Sequence, residues 1–127
     1  MSSYLNIYGI TKSDERLCLA SFSRCTDMYQ IIYENTTVSE NDTDLTIDVL
    51  KSIDADINRQ IDNITKRISL YEKNAAGNVE ILDSILEESK YLDELKVLSH
   101  QLWLLMAIVS DGCSSWGGFK KFVMNIG

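Results

Sequence analysis

Proline is missing from all 127 residues. Its absence removes the strongest breaker of helices and favours long, uninterrupted elements. Histidine occurs once, at His100, which rules out a zinc site built on two histidines and any catalytic histidine pair. Basic residues are scarce. Twelve Lys and Arg stand against nineteen Asp and Glu, for a formal charge of −7, and none lies between Arg24 and Lys51. A nucleic-acid partner would need a basic face to displace counterions, so none is expected. Long apolar runs are missing too. The longest, Leu102–Val109 within "HQLWLLMAIVSDG", has eight residues, far short of the ~18–20 that a bilayer demands. The opening "MSSYLNIYGI" has neither a basic start nor an apolar signal core, so no signal peptide is expected. Cysteines number three, Cys18, Cys25 and Cys113, without CxxC spacing. They read as reduced thiols in a cytoplasm rather than a disulfide frame.

What is present is strong periodicity. "YLNIYGI" (4–10) sets Leu5 and Ile7 against Tyr4, Tyr8 and Ile10, and "RLCLASFS" (16–23) sets Leu17 and Leu19 against Cys18, Ala20 and Phe22. Two alternating segments around the polar "TKSDE" predict an antiparallel hairpin with a five-residue loop. The period then changes. Cys25, Met28 and Ile32 fall a turn apart with Tyr29 and Tyr33 beside them, which predicts a short helix over 24–34 capped by Ser23 or Thr26. "NTTVSENDTD" (35–44) reads as a polar, acidic loop.

From Ile47 to about Asn74, Leu50, Ile53, Ile57, Ile61, Ile64, Ile68 and Tyr71 recur at spacings of three and four. That is an amphipathic helix with Thr46 as its N-cap. In "NAAGN" Gly77 is the expected stop and Asn78 the next cap. A second helix follows from Val79 to about Ser110, striped by Ile81, Ile85, Leu92, Leu95, Leu102, Met106 and Val109. So short a link forces an antiparallel hairpin with arms of roughly 40–48 Å. Gln60, Arg67, Glu88 and Ser99 fall at inward positions. A coiled-coil arm two helices wide tolerates them at its edge, whereas a third layer would want apolar residues there. After "DGCSSWGG" (111–118), "FKKFVMNIG" alternates again and predicts a C-terminal strand beside the N-terminal hairpin. The expected fold is α+β, one domain over 1–127. A three-stranded antiparallel sheet with a short helix (1–45 and 111–127) carries a protruding helical hairpin (46–110).

Reactive groups do not converge in the sequence. Cys113 sits among small residues at a helix C-terminus, where the dipole disfavours a thiolate, so Cys113 with His100 as base makes a poor nucleophilic pair. Adjacent acids such as Asp54/Asp56 and Glu87/Glu88 diverge on a helix and cannot share a metal or a proton. No catalytic, metal or cofactor residues are assigned. Two binding constellations remain. The acids Glu40, Asp42 and Asp44 in the loop, with Asp83, Glu87 and Glu88 on the hairpin, would suit a basic partner. Tyr29, Tyr33, Trp116 and Lys120 could together form an aromatic and cationic pocket for a small nucleotide.

"SYLNIYGI", "SRCTDMYQIIYENT" and the closing "FKKFVMNIG" resemble small uncharacterised accessory proteins of tailed phages and prophages of low-GC bacteria. The resemblance spans most of the chain, rests on structural motifs and carries over no catalytic residue. What it implies is a phage accessory protein acting in the cytoplasm of an infected cell. The expected function is a non-enzymatic counter-defence or host-takeover factor that binds a host protein. The alternatives are an oligomeric sponge for a signalling nucleotide of host defence, or a phage structural or assembly adaptor. The run 102–109 is expected where the second helix meets the sheet and the first helix. Three strands and two helices are too few to cover Trp103, Leu104 and Ile108, which become the expected interface of a homo-oligomer.

Overall fold

In a computed structural model, which describes residues 3–74 and 78–127, the chain runs β1 (Tyr4–Thr11), β2 (Arg16–Ser23), α1 (Asp27–Asn35), β3 (Thr43–Asp44), α2 (Ile47–Lys73), α3 (Val79–Gly112) and β4 (Phe119–Ile126). The fold is α+β. Its sheet has four strands rather than three, antiparallel throughout, in the order β2-β1-β4-β3. The added strand is the pair Thr43–Asp44, inside the stretch expected to be all loop. It is drawn onto β4 opposite Met124 and Val123, and Leu45 extends the contact by donating its N–H to the carbonyl of Phe122 at 2.9 Å.

The alternation of β1 holds, with Leu5, Ile7 and Gly9 on the covered face. The turn after it is one residue shorter than expected, spanning Lys12–Glu15. Asp14 there takes a left-handed backbone (φ 68°), which a short polar side chain accepts more readily than most. In β2 the register shifts, with Ile7 opposite Ala20 but Tyr8 opposite Cys18. Leu19 is the extra residue of a bulge, which breaks the strand's two-residue period. The predicted alternation therefore fails on this edge strand, and Leu17 and Leu19 are exposed. On β4 Phe122, Met124 and Ile126 face inward as predicted, and Val123 is buried as well.

Helix α1 starts three residues later than its periodicity implies. Thr26 rather than Ser23 is the cap, its Oγ1 accepting from the N–H of Tyr29 at 3.3 Å. Thr46 caps α2 through the N–H of Val49, and Asn78 caps α3 through Glu80 and Ile81, as expected. The expected stop at Gly77 lies outside the described residues. Helix α3 continues past Ser110 to Gly112. One core joins Leu5, Ile7, Phe122 and Met124 of the sheet to Met28 and Ile32 of α1, Leu50, Ile53 and Ile57 of α2, and Leu98, Leu102, Leu105 and Val109 of α3. Farther along the arm the core narrows to the seam of α2 and α3, around Ile64 and Leu95.

Candidate interaction surfaces

The polar residues at inward positions of the arm cross-link its two helices. Ser99 donates to Asp54 at 3.2 Å, Tyr91 to Gln60 at 3.4 Å, and Arg67 to Glu88 at 3.2 Å. Positions on α3 thus fall as positions on α2 rise, the order an antiparallel pair requires. These rungs lie at the rim of the seam, where water still reaches them, and no buried side-chain polar atom among the described residues lacks a partner. Glu88, expected to meet a partner protein, is committed to Arg67.

The loop acids divide in the same way. Asp42 is held by both guanidinium nitrogens of Arg16 and by the Asn125 amide at 2.9 Å. Arg16 also lies 4.0 Å from the centre of the Tyr8 ring, a cation–π contact. The hydrogen bond from Arg16 holds the Asp42 carboxyl well below the usual carboxylate range, and that from Asn125 adds to it. Ser21 donates to Asn6 at 2.7 Å on the neighbouring strands. This polar network crosses the uncovered face of the sheet. Asp44 stands 4.0 Å from Lys121. Of the six expected docking acids, Glu40, Asp83 and Glu87 have no ion-pair partner among the described residues.

Asp83 and Glu87 belong to a larger acidic surface. At 100° per residue, Asp83, Glu87 and Glu94 share one flank of α3. Glu94 faces α1, where Asp27, Gln30 and Glu34 line an open cleft with Gln60, Tyr91 and Leu98. The cleft continues outward along the seam through Tyr91, Glu87 and Glu88 to Arg67 and Tyr71. Asp27, Glu34, Asp83, Glu87 and Glu94 are free of ion pairs among the described residues, and Tyr91 stays 45% exposed between them. Asp27, Glu34 and Glu94 were not among the expected site residues. Their convergence depends on α1 lying across the arm, which no local pattern reveals.

The expected nucleotide pocket does not assemble. Tyr29 and Tyr33 stack, ring centres 6.0 Å apart, and line an open cavity of about 430 Å³ with Arg24, Gln30, Ser39, Glu40 and Ile126. Lys120 is at the opposite end of β4, about 20 Å from Ile126 at the rise of a strand, and is paired with Asp14. Trp116 is almost fully exposed in the connection before that strand. The cation that sequence reasoning missed is Arg24, in the connection between β2 and α1.

Trp103, Leu104 and Ile108 are all exposed. The run 102–109 is not enclosed by three neighbours. Leu102, Leu105 and Val109 face the core, while Leu104 and Ile108 face outward in line with Val79, Leu82, Leu86 and Val97. Trp103 sits farther round the helix. His100 and Cys113 are both exposed, and thirteen residues of helical rise separate them by about 20 Å. Among the described residues no three His, Cys, Asp or Glu are placed to hold a metal ion, and no helix is long and apolar enough to cross a membrane. Compared with protein-family models, curated proteins and solved structures, the chain matches none of them, and the reading of these surfaces rests on their geometry and charge.

Proposed function

We propose that this chain is a binding protein without catalysis of its own, which takes a basic segment of a host protein into the acidic cleft between α1 and the arm. The observation that carries this reading is the set of three carboxylates, Asp27, Glu34 and Glu94, that line the cleft without ion pairs among the described residues, with Glu87 beyond them along the seam. Clustered like charge costs folding energy through self-repulsion, and a cationic partner relieves it. Tyr91 in their midst supplies a flat face on which an arginine can stack. The resemblance to phage accessory proteins supplies the setting, a counter-defence or host-takeover factor that occludes its target. The test is affinity purification from host extract with the wild type and with a Glu87→Lys/Glu94→Lys variant. A protein retained by the first, lost by the second and released by moderate salt supports the reading. Identical retention by both defeats it.

A second reading is favoured by the Tyr29–Tyr33 stack and its cavity beside Arg24. There the chain sequesters a small signalling nucleotide, its base against Tyr33 and its phosphate near Arg24. A nucleotide that raises the melting temperature in wild type but not in Arg24→Ala supports this alternative.

A further inference from the structure

Helix α3 is apolar on two sides, and the protein covers only one of them. The open side carries Val79, Leu82, Leu86, Val97, Leu104 and Ile108, each between 47% and 70% exposed. At 100° per residue all six fall within a sector of about 80°. Leu82/Leu86 and Leu104/Ile108 are two periods of an eleven-residue repeat whose middle period is Asp93/Val97. Eleven residues in three turns nearly match an undistorted helix, so the stripe runs parallel to the axis for about 44 Å. An apolar strip of that length marks an interaction surface.

The charges inside the strip identify its occupant. Between Val79 and Ile108 only Lys90 and Asp93 carry charge within the sector, and neither has an ion-pair partner among the described residues. They flank the point midway between Leu86 and Val97. A two-fold axis between Tyr91 and Leu92 exchanges position 90 with 93, 86 with 97, and 79 with 104. We propose that a second copy of this chain packs antiparallel along the strip. Leu86 then meets Val97 of the partner subunit, Val79 meets Leu104 of the partner subunit, and Lys90 meets Asp93 of the partner subunit, every contact occurring twice. A parallel pairing in register would oppose like charges at both positions, which is destabilising. The axis that exchanges these two opposite charges also exchanges Leu86 with Val97 and Val79 with Leu104, a coincidence that an unrelated partner would not require. Such an isologous contact closes at two chains. It leaves the acidic cleft on the flank of α3 open, so the inference does not depend on the function proposed above.

The experiment is light scattering coupled to size exclusion, from micromolar to near-millimolar protein, with folding checked by circular dichroism. The wild type should approach twice the chain mass of 14.4 kDa. Val97→Glu, Lys90→Asp and Asp93→Lys should each halve that mass while helicity is kept, since all three sites are exposed. The double exchange Lys90→Asp/Asp93→Lys should restore the dimer, because it only reverses the direction of each pair. A wild type monomeric throughout, or a dimer indifferent to these changes, overturns the proposal. A double exchange that remains monomeric overturns the register.

Discussion

The two terminal nitrogens of Arg16 meet the two carboxylate oxygens of Asp42 at 2.6 and 2.8 Å, across twenty-six residues of chain. The pair fastens one edge strand to the segment leading into the other, over the open face of the sheet. Because Asp42 titrates below its unfolded value, its contribution to stability is complete above about pH 4, near the reference carboxylate value. It is lost as pH falls further towards the folded value. Asp42→Asn should therefore lower the melting temperature at neutral pH, and the gap from wild type should close on acidification below pH 4. A gap that stays constant with pH would show the pair to be incidental.

Gly9 lies in the middle of β1 with the ring of Phe119 packed directly on its Cα. A methyl group there would overlap the ring carbons, while one at Gly118 meets nothing within 4 Å. Gly9→Ala should cost about 1–3 kcal/mol, the usual penalty of overpacking. Gly118→Ala should stay within about 0.5 kcal/mol of wild type. Urea denaturation of the two variants measures the contrast, and equal midpoints would refute it.

The two sides of the run 102–109 should respond oppositely to the same substitution. Leu102 is fully buried, and Leu102→Ala should cost about 2–5 kcal/mol. Leu102→Lys should prevent folding, since a buried ammonium finds no partner there. Leu104→Lys and Ile108→Lys, on the open side, should leave the chain folded. Circular dichroism and proton NMR dispersion distinguish these outcomes.

All three cysteines are free and exposed. A thiol reagent should therefore titrate three groups in the native protein at rates close to those in denaturant. Fewer than three fast thiols would mean that an assembly covers part of this surface.

Much of the fold is legible in the sequence because α2, α3, β1 and β4 each bury a face at a fixed period. Thr46 and Asn78 mark their helix starts for the same local reason, a side-chain oxygen placed to accept from the first free amides. Thr43–Asp44 is not legible. Two residues have no period, and only the edge of β4 makes them a strand. Nor is the bulge at Leu19, which changes which of Leu17 and Cys18 accompanies Tyr8. The candidate site is less legible still. Asp42 looks like a free acid until the fold brings Arg16 to it, and Glu94 looks like ordinary helix surface until α1 arrives opposite. Charge lists show which groups are present, but which are already neutralised depends on contacts distant in sequence.

The order of strands also dictates an order of assembly. Strand β4 lies between β1 and β3, and pairs Leu5 with Ile126, so the sheet is completed only by closing a loop of nearly the whole chain. The pairing of α2 with α3 and of β1 with β2 needs only neighbouring sequence, and local contacts form fastest. The arm and the first hairpin are thus expected to appear as early, separable units in refolding, with docking of β4 as the slow step. Until it docks, the inner edge of β1 stands open and Thr43–Asp44 has no strand to join. The interval before docking is when this chain is most exposed to aggregation and proteolysis.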